Sequence, residues 1–213
     1  MGTSRGRCYS EETMRSRKVG MGGRMRVIGG ELGGRRLKAP VGPGTRPTLD
    51  RVREALFNIV AAQVPGARVL DLYAGTGALA IEALSRGAGA AVLVDRDRRA
   101  SVVARANLQA LGLDGRTRLL TMDAERALGK LAGQVFDLVF LDPPWPAGIA
   151  GAVVDKLPTL VSPGGMVVVE YEYGEAPLSG RAGVDAWAGL KAVDRRRYGR
   201  TGVVLWRLVG PDR

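Results

Sequence analysis

The hydrophobic pattern changes period repeatedly from residue 67 onward. Short apolar runs with β-branched residues alternate with longer segments in which apolar residues recur at helical spacing, and these patterns predict strands and helices. The predicted strands are 67–72, 90–95, 116–122, 135–141, 166–171, 190–197 and 201–209. The predicted helices are 77–86, 97–111, 124–131 and 148–158. The pattern therefore predicts an α/β, doubly wound, mostly parallel seven-stranded sheet that ends in an antiparallel hairpin.

The first 64 residues follow a different pattern. Residues 1–24 are rich in Gly, Ser and Arg and lack periodicity, which predicts a disordered basic extension. Residues 25–39 predict two short strands joined by a glycine-rich turn, which would form a small basic hairpin. A linker rich in Pro and Gly at 40–47 precedes a helix that Thr48 is predicted to cap. The predicted units are 1–24, 25–64 and 65–213.

The helix after the linker is amphipathic. Its apolar face consists of Leu49, Val52, Leu56, Ile59 and Val60. Arg51, Arg53 and Glu54 fall on or near the opposite face. We expect this helix to pack on the edge of the main unit and to carry the basic segment against its ligand pocket.

The chain carries a large positive charge that is unevenly distributed. It has 32 Lys and Arg residues against 21 Asp and Glu residues, a formal net charge of +11 over 213 residues. Residues 1–53 hold thirteen of the basic and four of the acidic residues, so most of the net charge lies there. A basic segment joined to a nearly neutral unit favours a polyanionic partner such as nucleic acid over a merely solvated arm.

Several residue types are absent or rare, and this excludes some chemistry. Histidine is absent, which excludes a histidine base or a histidine metal ligand. Cys8 is the single cysteine, so no internal disulfide can form, and a structural zinc site is disfavoured. No apolar stretch approaches the roughly 18 residues of a membrane span, and no signal peptide is evident. These features predict a cytoplasmic protein that binds no metal and no membrane.

A small-residue turn follows the first predicted strand. Asp71 lies at the strand end, and Gly75 and Gly77 form a turn that lets a ligand approach the free N–H groups of the next helix. With Ala80, these glycines fit the loose dinucleotide pattern Gly-x-Gly-x-x-Gly/Ala. Asp95, at the end of the second strand, lies 24 positions after Asp71, near the roughly 20-residue spacing of a ribose-binding carboxylate.

Four acids, Asp71, Asp95, Asp123 and Asp142, fall at the ends of successive predicted strands. The carboxyl ends of parallel strands meet at one edge of the sheet, where doubly wound folds bind their ligands. A single acid in such a place is ordinarily a helix cap, and Asp123 in particular fits that role. Four acids in register favour a ligand site.

The segment Asp142-Pro143-Pro144-Trp145 follows the almost wholly apolar fourth strand. The prolines fix the backbone and leave nearby carbonyls free, Asp142 adds a carboxylate acceptor, and Trp145 adds a flat face. Acceptors beside an aromatic plate suit a planar group that bears an NH₂. An isolated segment of this kind would be a rigid turn with a core tryptophan, but its place in this sheet favours a site.

The residues around these motifs resemble a known family. Asp71-Leu-Tyr-Ala-Gly-Thr-Gly together with Asp142-Pro-Pro-Trp resembles the S-adenosylmethionine-dependent amino methyltransferases, whose fourth motif is Asp/Asn-Pro-Pro-Phe/Tyr/Trp. Within that group, Arg26-Val-Ile-Gly-Gly, Gly34-Arg-Arg-Leu and the longer Gly44-Thr-Arg-Pro-Thr-Leu-Asp-Arg-Val-Arg-Glu-Ala-Leu-Phe-Asn resemble the bacterial 16S rRNA guanine-N2 methyltransferase RsmD family. The likeness runs from about residue 25 to the C-terminus, and Trp145 stands where the family often has Phe or Tyr.

The resemblance implies a Rossmann-like methyltransferase sheet and a cofactor site for S-adenosylmethionine, with S-adenosylhomocysteine as product. The residues implied on its methionine side are Asp71, Ala74, Gly75 and Gly77. Asp95 would accept hydrogen bonds from the ribose hydroxyls. Asp123 would meet the adenine amino group, and Ala124 would provide a backbone contact.

The resemblance also implies the substrate site. Asp142 and Pro143 would hold the N2 amine of a guanine, and Trp145 would stack on the base. RNA contacts are implied for Arg35, Arg36, Lys38, Arg46, Arg51, Arg196 and Arg197. Arg46 would border the pocket and the others would hold phosphates, although the stretch 195–198 could equally be a solvated hairpin. The implied partner is 16S ribosomal RNA in a small-subunit particle, and we expect a monomer.

Four other functions compete with this interpretation. A glutamine methyltransferase uses a similar Pro-Pro-aromatic turn, but the basic N-terminal segment argues against it. An adenine-N6 DNA methyltransferase would need a target-recognition domain, and none is evident. A non-catalytic RNA-binding assembly factor would have no need of the four acids. A nicotinamide oxidoreductase would leave Asp142-Pro-Pro-Trp without a role.

Overall fold

The fold is known from a computed structural model that describes residues 25–39, 47–144, 149–175, 186–187 and 189–209. Its helices are α1 (Pro47–Ile59), α2 (Ala78–Ser85), α3 (Arg98–Ala110), α4 (Ala124–Lys130) and α5 (Gly151–Lys156). Its strands are β1 (Arg68–Leu72), β2 (Ala90–Asp95), β3 (Thr117–Thr121), β4 (Phe136–Leu141), β5 (Val161–Glu172), β6 (Ala186–Trp187), β7 (Leu190–Tyr198) and β8 (Thr201–Leu208).

The strands form one mixed sheet in the order β3-β2-β1-β4-β5-β8-β7-β6. Strands β1 to β5 pair in parallel, whereas β8, β7 and β6 are added antiparallel. The chain runs outward from β1 to β3 and then crosses back to β4, so the strand order reverses between β1 and β4. The predicted Rossmann-like fold is confirmed, and all seven predicted strands are present. The structure adds the two-residue strand β6 and extends β5 backwards to Val161.

The sheet has a hydrophobic cluster on each face, because successive side chains of a strand point to opposite sides. On the front face, defined here as the face covered by α1, α2 and α3, Val69, Phe140 and Val168 join one cluster. On the back face, which α4 and α5 cover, Leu70 and Val139 join the other. No described helix is long and apolar enough to cross a membrane.

Residues 25–39 fold back on themselves against the front face. The N–H of Val27 donates to Arg35 O and the N–H of Leu37 donates to Met25 O, both at 2.9 Å. An isolated antiparallel bridge joins Arg26 and Arg36, so the predicted hairpin is present in path but forms one bridge instead of two full strands. Val27 and Leu37 are buried in the same cluster as α1 and α2. The basic hairpin is thereby packed directly on the sheet unit.

Two expectations for α1 are wrong. The helix begins at Pro47, so Thr48 lies in its first turn and does not precede it as a cap. Proline suits the first helical position because no N–H is needed there. Arg53 was expected on or near the solvent face, but it is 4% exposed. The hairpin covers that side of the helix, and the Arg53 guanidinium donates to Arg26 O. The predicted extension 1–24 and most of the linker 40–47 lie outside the described residues.

Candidate active site at the carboxyl ends of the strands

The chain leaves β1 through a tight turn that opens α2. Tyr73 and Gly75 have positive φ angles of 71° and 55°, and Gly77, with a φ of 80°, precedes the first residue of α2. Such a φ is strained for tyrosine, and backbone strain of this kind is concentrated at functional sites. A Cβ at Gly77 would lie 2.9 Å from Leu93 Cδ2, whereas a Cβ at Gly75 would meet nothing within 4 Å. The turn is therefore open to a ligand at Gly75.

Asp71 is buried in β1 and holds this turn from beneath. The N–H of Ala80, in the first turn of α2, donates to Asp71 Oδ2 at 3.1 Å. Oδ1 has no hydrogen-bond partner among the described residues. Burial raises the pKa of Asp71 to about 8, the Ala80 hydrogen bond opposes this rise, and the charges of Asp142 and Asp95 add to it. The carboxyl is mostly neutral at pH 7, and a cation beside it would favour the ionised form.

Asp95 ties the same turn to the neighbouring strand. Its Oδ2 accepts from the N–H of Gly75 at 2.7 Å, and its Oδ1 accepts from the N–H of Asp97 at 2.8 Å. Because β1 and β2 are paired, this carboxylate lies beside the glycine turn as the sequence predicts. Each carboxylate oxygen can accept a second hydrogen bond, so the predicted role toward ribose hydroxyls is chemically open and stays a prediction.

Asp123 caps α4. Its Oδ1 accepts from the N–H of Arg126 at 3.1 Å, and its side chain is 48% exposed. Ala124 is the buried first residue of the helix. The capping role that the sequence suggested is therefore present. This exposed carboxylate can accept further hydrogen bonds, so its role toward a cofactor stays a prediction.

Asp142 and Pro143 follow β4 directly, next to β1 at the point where the strand order reverses. Asp142 is exposed and Pro143 is buried. Although the residue is exposed, desolvation of its carboxyl by the surrounding protein raises its pKa to about 6. Asp142 thus places a carboxylate acceptor at this edge of the sheet. Trp145, the predicted stacking residue, lies outside the described residues.

Glu170 is a further carboxyl at this edge, and the sequence reasoning missed it. Leu141 of β4 pairs with Val169 of β5, so the next positions, Asp142 and Glu170, are neighbours across the strand pair. Burial raises the pKa of Glu170 to about 8, as do the charges of Asp142 and Asp71, whereas Arg53 opposes the rise. An acid inside the otherwise apolar run 166–171 was the signal in the sequence.

A buried acid, Glu82 of α2, holds the hairpin against the helix that follows the glycine turn. Its two carboxylate oxygens accept from the N–H groups of Ile28 and Gly29 at 2.7 and 2.8 Å. Arg86 Nε donates to the same carboxylate at 2.7 Å, and Arg53 Nε lies 3.7 Å from it. One buried carboxylate therefore joins α1, α2 and the hairpin.

A second fastening joins the hairpin to the glycine turn itself. Asn107 of α3 is buried, and its amide nitrogen donates to the carbonyls of Lys38 and Thr76, both at 3.0 Å. Its amide oxygen accepts from the N–H of Lys38 at 2.7 Å. Because Thr76 lies between the two glycines of the turn, the basic hairpin and the candidate cofactor turn share a rigid contact.

The predicted RNA-binding residues are exposed wherever the structure describes them, namely Arg35, Arg36, Lys38, Arg51, Arg196 and Arg197. Arg196 pairs with Asp194 at 3.0 Å, and the Arg197 guanidinium lies 4.0 Å from the centre of the Tyr173 ring. Arg46 lies outside the described residues.

Within the described part of the chain, no group of three or more acidic, cysteine or histidine residues could hold a metal ion.

A family model and several known proteins match the chain. The family described as conserved hypothetical protein 95 matches residues 25–207. Ribosomal RNA small subunit methyltransferase D of Escherichia coli K12 is 42% identical over 135 residues, which are 63% of this chain and 67% of that protein. The protein of the same name from Haemophilus influenzae Rd is 31% identical over 190 residues, which are 87% of this chain and 93% of that protein.

Solved structures share the fold. The protein yhhF from Escherichia coli has a TM-score of 0.75 and 32% identity over 88% of this chain and 99% of that chain. The N-methyltransferase NodS from Bradyrhizobium japonicum WM9 has a TM-score of 0.61 over 78% of this chain and 98% of that chain. Its identity is 16%, so this second likeness concerns the fold alone.

The family model covers most of the chain, including the hairpin, the glycine turn and the Asp-Pro-Pro segment. The two named relatives are 42% and 31% identical over 63% and 87% of the chain. The chain therefore belongs to the conserved hypothetical protein 95 family, the RsmD family of rRNA methyltransferases that the motifs indicated.

Proposed function

We propose that this chain transfers a methyl group from S-adenosylmethionine to the exocyclic N2 amine of a guanine in 16S ribosomal RNA. The observation that carries the proposal is the pairing of two features at the strand-order reversal. The glycine turn with Asp71 and Asp95 lies after β1, and the acceptor Asp142 lies after the adjacent strand β4. A methyl donor and a planar amine bound at these two places would lie side by side.

The residues at the glycine turn fit the proposed cofactor. Asp71 is a buried carboxyl with an unpartnered oxygen, and a cationic ligand would stabilise its charge. The free space at Gly75 admits a ligand against the backbone, and Asp95 has acceptor capacity for hydroxyl groups. Bound S-adenosylmethionine would supply an electrophilic methyl group on its sulfonium.

The chain's own contribution to the reaction would be orientation and electrostatics. The exocyclic amine of guanine is a poor nucleophile because its lone pair is delocalised into the ring. Asp142 and the carbonyl of Pro143 would accept the amine hydrogens and turn the lone pair toward the methyl group. The pKa of Asp142, about 6, keeps this carboxyl ionised and accepting at neutral pH. The target base must be unstacked for its amine to reach these acceptors, which favours a loop or a splayed nucleotide.

Ribosomal RNA is favoured as the substrate by the named relatives and by charge. Relatives of up to 42% identity carry the name ribosomal RNA small subunit methyltransferase D. The exposed basic residues of the hairpin lie on the same unit as the candidate site and suit a phosphate backbone. The choice of guanine N2, the small-subunit particle, the monomeric state and the cytoplasmic location remain predictions from the family resemblance and the composition.

The test is transfer of a labelled methyl group from S-adenosylmethionine to small ribosomal subunits that lack their native guanine modifications. We expect label in 16S RNA and, after digestion to nucleosides, N2-methylguanosine at one position. Free 16S RNA and DNA serve as parallel substrates. Label on another base, or on protein alone, would overturn the proposed acceptor. A chain that binds no S-adenosylmethionine would overturn the proposed reaction.

A further inference from the structure

Glu170 lies beside the proposed acceptor, across the β4–β5 pair. Glu170 is 7% exposed and follows Val169, which pairs with Leu141, so its neighbour across the sheet is Asp142. It points to the front face with Val168, two residues before it on the same strand. Asp71 points to the same face from β1, two residues after Val69. Three carboxyls therefore lie on adjacent strands at one edge of the sheet.

The cation that acts on Glu170 also interacts with two other acids. Arg53 of α1 is the cation that acts on Glu170, but it also pairs with Asp50 at 3.0 Å and lies 3.7 Å from Glu82 of α2. From β8, the residue paired with Glu170 is the buried apolar Val203. The carboxyls on β1, β4 and β5 thus exceed the cations that face them in the described structure.

Neighbouring carboxyls in a poorly solvated place cannot all ionise together, so a close pair holds one proton over a wide pH range. Solvation decides which member holds it. Asp142 is exposed, whereas Glu170 is buried, so the charge belongs on Asp142 and the proton on Glu170. The directions of the two shifts agree, since burial raises the pKa of Glu170 to about 8 and that of Asp142 only to about 6.

We propose that Glu170 is a positioning residue of this site, which carries the proton that leaves Asp142 ionised and aimed at the target amine. The inference rests on the proposed methyl transfer to an amine held by Asp142. Glu170 does not touch the substrate in this scheme. When Glu170 loses its proton, a second negative charge arises beside Asp142, and repulsion displaces the acceptor.

The proposal predicts that methyl transfer is fastest within a range of pH whose lower and upper limits have different causes. Below about pH 6, Asp142 gains a proton and loses its negative charge, so it holds the amine hydrogens more weakly. Above about pH 8, Glu170 loses its proton and the acceptor is displaced. Glutamine has the shape of the neutral carboxyl and cannot ionise. Glu170→Gln should therefore abolish the loss of activity at high pH and leave the loss at low pH unchanged.

The experiment is single-turnover methyl transfer to undermodified small subunits between pH 5.5 and pH 9, so that the chemical step is observed. We expect Glu170→Gln to match the wild-type rate within about threefold at pH 7 and to exceed it by up to about tenfold at pH 9, one unit above the Glu170 pKa. Glu172→Gln is the matched control, since Glu172 lies two residues along the same strand, is less buried and pairs with Arg200. The control should keep the wild-type profile.

Two outcomes of this experiment would overturn the proposal. One is a decrease in the rate of methyl transfer at high pH that is the same in Glu170→Gln as in the wild type. The other is a loss of activity at every pH in a variant whose thermal midpoint is unchanged, because the carboxylate charge itself would then be required.

Carbon-13 NMR of the wild-type glutamate carboxyls gives a second measurement that does not depend on the variant folding or on the substrate. The Glu170 carboxyl should be protonated at pH 7 and should titrate near pH 8. An ionised Glu170 at pH 7 overturns the inference. If the wild type transfers no methyl group to RNA while Glu170 titrates as expected, the proposed function fails and the proton assignment stands.

Discussion

At the scale of single residues, the site depends on carboxyls whose protonation is set by burial. Burial holds Asp71 and Glu170 mostly neutral at pH 7, whereas it raises the pKa of Asp142 only to about 6 and leaves that carboxyl ionised. The three pKa shifts have the same main cause and different sizes, and they therefore give three carboxyls at one edge of the sheet different protonation at neutral pH.

The first prediction concerns Asp71 and a cationic cofactor. Because the sulfonium favours the ionised carboxyl, binding of S-adenosylmethionine should release a proton at pH 7, and affinity should rise as pH increases toward 8. Calorimetry in two buffers of different ionisation enthalpy measures this proton. Asp71→Asn should keep the Ala80 hydrogen bond, lose about tenfold or more in affinity and release no proton. Wild-type binding without proton release would contradict the assignment.

The second prediction concerns Asp142. Replacement by alanine removes the carboxylate acceptor, so kcat should fall by about 10²- to 10³-fold while the affinity for S-adenosylmethionine stays within a few-fold. Asp142→Asn keeps one acceptor oxygen and should retain a measurable part of the activity. Methyl transfer under single-turnover conditions and equilibrium cofactor binding separate the two effects. Normal methylation by the alanine variant would show that Asp142 does not hold the amine.

At the scale of elements, the basic hairpin is bonded to the helices that form the site. Glu82 holds its backbone from α2, and Asn107 joins Lys38 to the glycine turn. The arginines of the hairpin are therefore held at fixed positions relative to the candidate cofactor turn. A polyanion bound to the hairpin would be presented to the same edge of the sheet.

The third prediction tests this element. The double variant Arg35→Glu with Arg36→Glu should weaken RNA binding and reduce the dependence of log Kd on log salt by about two, because two phosphate contacts are lost. Cofactor affinity should not change. The matched control is Arg116→Glu with Arg118→Glu, which makes the same change in charge at exposed positions around the start of β3, at the opposite rim. Equal RNA affinity of the hairpin variant and the wild type at low salt would remove the hairpin from the interface.

At the scale of the whole molecule, two hydrophobic clusters enclose a sheet whose front face contains buried acids. The clusters stabilise the fold by removing apolar surface from water, whereas ionised acids among them would oppose it. The buried acids of the site therefore lower the free energy of unfolding, by an amount that depends on pH.

The fourth prediction gives the sign of that dependence. Asp71 has a pKa of about 8 in the fold and about 3.9 when unfolded, so between these values the folded chain binds more protons. Its contribution to the free energy of unfolding should decrease with rising pH, by up to about 1.4 kcal/mol per unit, and then level off. The thermal midpoint of Asp71→Asn, measured relative to that of the wild type, should therefore be higher at pH 8 than at pH 5. A constant difference between the two proteins would contradict the raised pKa.

The sequence by itself determined the order of strands and helices, the parallel sheet, the glycine turn and the family. These features follow from local periodicity and from residue types at fixed spacing, and both can be read along the chain. It also indicated the acids that end β1, β2 and β4. For the acid after β3 it already offered the capping role that the structure shows.

Only the tertiary structure decided which groups meet across the sheet and which are deprived of water. Arg53 looked solvent-exposed by helical periodicity, yet the hairpin covers it, and Glu170 looked like a strand residue until the β4–β5 pairing placed it beside Asp142. Asn107 and Glu82 joined the site through contacts to residues 31 to 69 positions away in the chain. Burial and pairing depend on elements distant in sequence, so no local pattern contains them, and they are what sets the charge of the site.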